Sequence, residues 1–425
     1  MTAEIAIVNR NGIALAADSA LTIGSDRVWN SSNKLFSLGP DNDIAVMVYG
    51  AGQFEGFPWE LIIKLFRKET ADQRFSTVES CSTAFVSFLR DDRFKADDLI
   101  RRASLVRYVE VMEFIRDRAK HVVKSRKISQ RALSNACDDF LKLFKDYLDI
   151  SDLTGCPTEE KLLMENEQTF FELAKDIFGV SRLSNNTLKK LGSCLFLSVK
   201  KTIFDSNATG IVFAGFGKTE LFPAVLEVKC DGKVGDCLRS WVVRKIDTNE
   251  ETRDKTIIIP FAQDDIFKLF VEGISPVYEE FLGRLWANLL KEKSDRLIDL
   301  FVSDSREKLV EKAKQNKENQ EIIKNFDQEF RKYRHHAVVS PILNVVNALP
   351  KDEMGELARA LVELTSLRRK VDAKLQSVGG PVDVAVISKG DGLVWLQRKH
   401  YFELDKNPDF LQRRLRRKED DDNAA

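Results

Sequence analysis

Thr2-Ala3-Glu4-Ile5-Ala6-Ile7-Val8-Asn9-Arg10-Asn11-Gly12-Ile13-Ala14-Leu15-Ala16-Ala17-Asp18 carries the reading of this chain. Glu4 to Asn9 reads as a strand, Arg10-Asn11-Gly12 as a turn, and Ile13 to Ala17 as a second strand ending at Asp18. Met1 is expected to be removed, because a small residue follows it. Thr2 then joins a hydroxyl nucleophile to an α-amine that titrates at about 7.7–8.0, so part of the base is free near neutrality. Alone, Thr2 says little, since many chains begin Met-Thr. The downstream residues give it weight: Thr22 and Gly24, then Lys34 ahead of Leu35-Phe36-Ser37, then Gly50 closing the apolar run Ile44 to Tyr49.

Asp18 lies sixteen residues after Thr2, and Lys34 sixteen after Asp18. With Gly50, these residues resemble the start of a proteasome β subunit and of its bacterial relatives HslV and Anbu, which are N-terminal nucleophile (Ntn) hydrolases. The resemblance is good to about Arg67 and looser over 208–260 and 350–400. It implies an α+β fold, the four-layer αββα sandwich, with Thr2 as nucleophile and its own amine as base. It implies further that Asp18 orients Lys34 and that the Gly50 N–H binds an oxyanion. A cation fixed near Thr2 favours the alkoxide and lowers the amine's pKa by repulsion. Taken singly, Asp18 reads as a strand-end cap, Lys34 as a surface lysine and Gly50 as a turn.

Two later stretches extend the resemblance with departures. Where the family has a Gly-Ser-Gly-like turn after the strand Thr256 to Pro260, this chain has Phe261-Ala262-Gln263-Asp264-Asp265. Gln263 or Asp264 is the expected substitute for the serine. Ser377-Val378-Gly379-Gly380 matches the late Ser-Gly-Gly turn, so Ser377 joins the candidate site. The supporting aspartate stays unassigned, because Lys374 stands three residues before that serine and Asp372 two further back.

Composition bounds the rest. The 425 residues carry 66 Lys+Arg against 66 Asp+Glu, so no global field favours nucleic acid or an anionic membrane. No apolar run is long enough to span a bilayer and no secretory pattern opens the chain, so the expected location is cytoplasmic. Cys81, Cys137, Cys156, Cys194, Cys230 and Cys237 lack zinc-type spacing and read as reduced thiols. His121, His335, His336 and His400 do not form a ligand set, so no metal or cofactor is expected.

Helical periodicity starts at Phe57 to Glu69, with Phe57, Leu61, Ile62, Leu65 and Phe66 on one face. It continues through Val78–Arg90, Ala96–Arg126, Ser129–Ile150, Glu159–Phe178 and Thr187–Ile203. Strands return at 210–216, 223–229 and 240–246, with Asp231-Gly232-Lys233 as a turn. Further helices cover Asp265–Lys291, broken near Gly273–Pro276, then Leu297–Arg334 and Asp352–Leu375. The expectation is one domain over 1–410 with helical elaborations at about 70–205 and 265–345, and a charged, disordered tail over 411–425. The expected function is an N-terminal threonine peptidase acting on polypeptides, assembled as a homo-oligomeric ring or spiral, with an ATP-driven unfoldase as a possible feeder. The alternatives are a non-peptidase amidase with the same nucleophile and a catalytically silent scaffold.

Overall fold

The computed structural model describes residues 3–23, 27–122, 128–150, 154–180, 183–203, 208–248, 256–263, 265–371, 379–400, 402–403, 406–407 and 409. In chain order the first elements are β1 (Glu4–Asn9), β2 (Gly12–Ala17), β3 (Leu21–Ile23), β4 (Arg27–Trp29), β5 (Leu35–Ser37), β6 (Ile44–Tyr49), β7 (Gln53–Phe54) and β8 (Phe57–Pro58). Six helices come next: α1 (Trp59–Glu69), α2 (Val78–Phe88), α3 (Asp97–Val122), α4 (Gln130–Phe144), α5 (Glu159–Phe178) and α6 (Asn185–Lys200). Then come β9 (Thr209–Gly215), β10 (Ala224–Val234), β11 (Cys237–Asp247) and β12 (Ile257–Phe261). The chain continues through α7 (Asp265–Glu272), α8 (Pro276–Phe301), α9 (Ser305–Arg334), α10 (Ser340–Ala348) and α11 (Lys351–Val371), and ends in β13 (Asp383–Ser388) and β14 (Gly392–Gln397).

The strands build two antiparallel five-stranded sheets, ordered β12-β1-β2-β13-β14 and β11-β10-β9-β6-β5. β1 and β2 are buried along their whole length, which explains why both read as continuous apolar runs rather than alternating ones. Alternate residues serve two layers. Ala6, Val8, Ile13 and Leu15 meet Met47, Val212 and Ala214 of the other sheet. Ile5, Ile7, Ala14 and Ala16 meet Met354, Ala358 and Leu361 of α11. The outer face of the second sheet is covered by Ile62, Phe66, Cys81 and Phe85 of α1 and α2. The α+β class with antiparallel sheets is therefore as expected.

Helices α3 to α6 hold a core of their own, around Val111, Leu133, Phe140, Phe170 and Leu195, that reaches the sheet at Val234. Two buried arginines fasten it. Arg239 of β11 donates to the carbonyls of Ser198, Val199 and Lys201 at the end of α6. Arg107 of α3 pairs with Asp231, which also takes Arg239 Nε at 3.2 Å. This anchoring corrects the expected turn at Asp231-Gly232-Lys233. β10 runs on to Val234 across a register shift, because Asp231 is held by the two arginines and the Lys233 N–H by Glu55, at 2.6 Å.

Other boundaries also move. α1 starts at Trp59, and Phe57–Pro58 instead pairs with Gln53–Phe54. Its buried face is Trp59, Ile62, Ile63 and Phe66, while Leu61 is 45 % exposed. α4 ends at Phe144, since Leu148 and Ile150 form backbone bonds with Thr202 and Lys200. α8 and α9 pack as a hairpin, followed by a π-helical turn at His335–Val339 and by α10, which periodicity does not separate from its neighbours. The expectation of six reduced thiols is corrected: Cys156 and Cys237 are joined as a disulfide, while Cys81, Cys137, Cys194 and Cys230 are buried thiols. Chain folding brings Cys156, at the start of the α5 segment, against the head of β11, a proximity that 81 residues of separation conceal. Among the described residues no helix is long and apolar enough to cross a membrane.

Candidate active site

The two sheets meet at one end in a buried ion pair. Asp18 follows the last residue of β2, and Lys34 precedes the first of β5. Lys34 Nζ lies 2.5 Å from Asp18 Oδ1, with Asp18 0 % and Lys34 4 % exposed. Charge buried this deeply persists only where partners replace water. Asp18 has them in full. Its Oδ1 also accepts from the Ala3 N–H at 3.2 Å, and its Oδ2 accepts from the N–H groups of Ala20 at 3.3 Å and Gly379 at 3.0 Å. The Asp18 N–H donates to the Ala3 carbonyl at 3.1 Å. One carboxylate therefore pins the start of β1, the end of β2 and the approach to β13 around a single ammonium.

Lys34 is fixed from the other sheet. Its carbonyl accepts from Val48 N–H at 2.9 Å, and Leu35 pairs with Met47. Two residues beyond Val48, Gly50 ends β6 at the exposed rim of the sheet. Its φ is +90°, and a Cβ there would meet the Ala208 carbonyl oxygen at 2.6 Å. Only glycine satisfies both constraints.

Sequence reasoning misses a neighbouring polar group. Glu4, the first residue of β1, is 1 % exposed, with Oε1 3.4 Å from Lys34 Nζ. Tyr49 donates its hydroxyl to Glu227 of β10, whose other oxygen faces Arg244 Nε at 3.6 Å. Burial, then the Glu227 charge, pushes the Tyr49 phenol far above its ordinary range, so it stays a neutral donor. The signal for Glu4 is present in the sequence as a carboxylate in an otherwise apolar strand. Pairing with Lys34 becomes visible only when the sheets stack.

No family model matches this chain, and no curated protein matches it. Among solved structures, an Anbu (Gly-1) mutant from Hyphomicrobium sp. strain MC1 aligns over 98 % of this chain and 96 % of its own, at 11 % identity and a TM-score of 0.30. Anbu (ancestral beta-subunit) from Yersinia bercovieri aligns over 94 % and 88 %, at 10 % identity and a TM-score of 0.29. Likeness at this level carries no argument about fold or chemistry.

Of the expected site residues, Asp18 and Lys34 come together and Gly50 lies just past the strand that pairs with the Lys34 segment. Thr2, Ser377, Gly24 and Asp264 lie outside the described residues, as do Asp372, Lys374 and the tail 411–425. Gly379 is described, and its N–H reaches Asp18 directly. Gln263 is buried beside α11. Its Oε1 accepts from Arg369 Nε of α11 at 2.6 Å, and the same guanidinium reaches Asp265 at 3.1 Å. The preceding Ala262 sits at φ +66° and turns the chain toward α11.

Proposed function

We propose that this chain is a proteasome-like Ntn hydrolase: one elaborated domain over 1–410 built on the four-layer αββα sandwich, cleaving amide bonds in polypeptides through Thr2. The observation that carries the reading is the buried Asp18–Lys34 pair tied to the backbone of Ala3, the residue bonded to Thr2. After loss of Met1, Thr2 Oγ attacks the substrate carbonyl carbon and its proton passes to the Thr2 amine, directly or through a water. The carbonyl oxygen takes the negative charge beside the Gly50 N–H. The C–N bond then breaks, the leaving amine takes the proton, and an ester to Thr2 remains. Water hydrolyses that ester. Lys34 stabilises the developing alkoxide, Asp18 holds Lys34, and Ser377 supports the nucleophile.

Assembly into a homo-oligomer, as a ring or spiral, belongs to the same proposal. Support comes from α8, where Val277, Phe281, Leu285 and Leu289 repeat every four residues and all are exposed. A stripe of this size on a long helix marks an interaction face.

A silent scaffold is the second reading, favoured by Phe261-Ala262-Gln263 standing where the family has a Gly-Ser-Gly-like turn. Intact mass and labelling with a β-lactone electrophile decide between them. The proposal expects a mass lacking Met1 and one adduct that maps to Thr2. Retained Met1 on folded protein, or no adduct at Thr2, overturns it in favour of the scaffold.

A further inference from the structure

A cavity of about 350 Å³ opens where α9 runs into α10 beside α7 and β12. Its floor is apolar: Ile258 of β12 with Phe267 and Val271 of α7, of which Ile258 and Val271 are buried. At about 30 Å³ for each water it could otherwise hold, this space admits a molecule of roughly ten non-hydrogen atoms. A cavity with such a floor binds apolar matter, and the polar groups at its edge decide which kind.

The facing wall is built from every fourth residue. Arg331, His335, Val339 and Leu343 all line the cavity, across the end of α9, a π-helical turn and α10. On a regular α-helix each step of four residues drifts by about 40° around the axis, so these four side chains would fan out over roughly a third of it. The turn His335–Val339, closed by the Ser340 N–H on the His335 carbonyl, is wider and takes back part of that drift. Turns of this kind recur at functional sites. Here the turn keeps a cationic and two apolar side chains on one wall above an apolar floor.

The two arginines of the cavity are not equivalent. Arg334 is committed to Glu272 at 3.3 Å and to Glu279 at 3.0 Å. Arg331 is exposed and makes no ion pair among the described residues. It lines an apolar space while remaining in contact with solvent, which places its guanidinium at the mouth. A planar fork of donors pairs best with a carboxylate, which it grips by two bonds at once.

We propose that this cavity binds a small amphipathic carboxylate, its tail of about eight carbons against Ile258, Phe267 and Val271 and its head on Arg331. Shape and charge select this class together. A bare inorganic anion leaves the apolar floor uncovered, and a neutral apolar molecule leaves Arg331 without a partner. The inference goes beyond the reading of Thr2 as nucleophile and does not rest on it, since no residue of the cavity belongs to the Asp18–Lys34 site. A ligand seated there touches β12, which pairs with β1 from Val8↔Ile257 to Glu4↔Phe261.

The test is calorimetric titration of the full-length protein with octanoate, beside octanol, which lacks the charge, and acetate, which lacks the tail. Octanoate should bind more tightly than either, by roughly tenfold over octanol. Arg331→Gln removes the charge from an exposed residue and should weaken octanoate by about the same factor, to the level of octanol. Val339→Trp fills the cavity and should abolish binding of octanoate. Leu343→Phe serves as the filled variant if the indole prevents folding, which circular dichroism checks. Octanoate that binds a folded, filled variant as it binds wild type, or that binds Arg331→Gln without loss, overturns the inference. So does acetate that binds as tightly as octanoate, or octanoate that fails to bind wild type at millimolar concentration.

Discussion

Lys34 Nζ sits 2.5 Å from Asp18 Oδ1, while the Lys34 carbonyl accepts from Val48, so one residue joins the end of β2 in one sheet to the edge of the other. The pair is part of the sheet packing as well as of the proposed active site. Any test of its chemistry therefore has to be separated from its structural role.

Lys34→Ala is expected to abolish both turnover and β-lactone labelling. Asp18→Asn should lower activity without removing it, because Glu4 still holds the ammonium at 3.4 Å. Lys34→Arg should fail as well, since a planar guanidinium does not replace a compact ammonium. Breaking this buried pair should also cost about 3–5 kcal/mol, measured by denaturant unfolding. Lys34→Ala that folds and labels Thr2 at the wild-type rate would show the mechanism to be wrong.

Glu55 gives a pH dependence of opposite sign to the usual carboxylate. Burial raises its pKa above the ordinary 4.5, although the Lys233 N–H donated to it works against the shift. The folded state then holds a proton that the unfolded chain has already lost. That stabilisation is complete below 4.5 and disappears as pH rises through the folded value. Glu55→Gln keeps the acceptor for Lys233 and cannot ionise. Its unfolding midpoint should fall less than that of wild type between pH 4.5 and neutrality, and parallel curves would refute the assignment.

Cys156 and Cys237 close a loop across 81 residues that contains α5 and α6. Alkylation of unfolded, unreduced protein should add four groups, one to each remaining thiol, and six after reduction. By the chain-entropy relation such a loop contributes about 4.5 kcal/mol, so reduction should lower the thermal midpoint and loosen α5 and α6 first in hydrogen exchange. Six groups added without reduction would mean that the bond does not form.

The α8 stripe predicts a surface phenotype. Phe281 is 54 % exposed, so a charge placed there stays in contact with solvent in the isolated chain. Phe281→Glu should leave the circular dichroism spectrum unchanged and reduce the mass seen by light scattering. An unaltered oligomer would remove α8 from the subunit interface.

Much of the architecture is legible in the sequence, for reasons that differ by element. β1, β2 and β6 can be read because strands buried on both faces need uninterrupted apolar residues, and α5 because Thr158 caps its start and Gly179 its end. Asp18 and Lys34 are singled out by the resemblance that their spacing from Thr2 carries. The inward face of α1 is not legible in the same way. Helical periodicity allows several faces there, including one through Leu61, and packing against the sheet selects Trp59 and Ile63.

What the sequence determined by itself was local: which segments are strands or helices, that Gly50 marks a chain reversal, and that a carboxylate and a lysine stand at fixed intervals from Thr2. What only the tertiary structure decided was which distant groups share a dry space. Glu4 meets Lys34, Tyr49 meets Glu227, Gly379 meets Asp18, Gln263 turns to Arg369, and Cys156 reaches Cys237. Strand periodicity fixes the face on which a side chain lies, but the identity of its partner depends on which sheet is stacked against that face. The energy of a buried charge depends almost entirely on that partner.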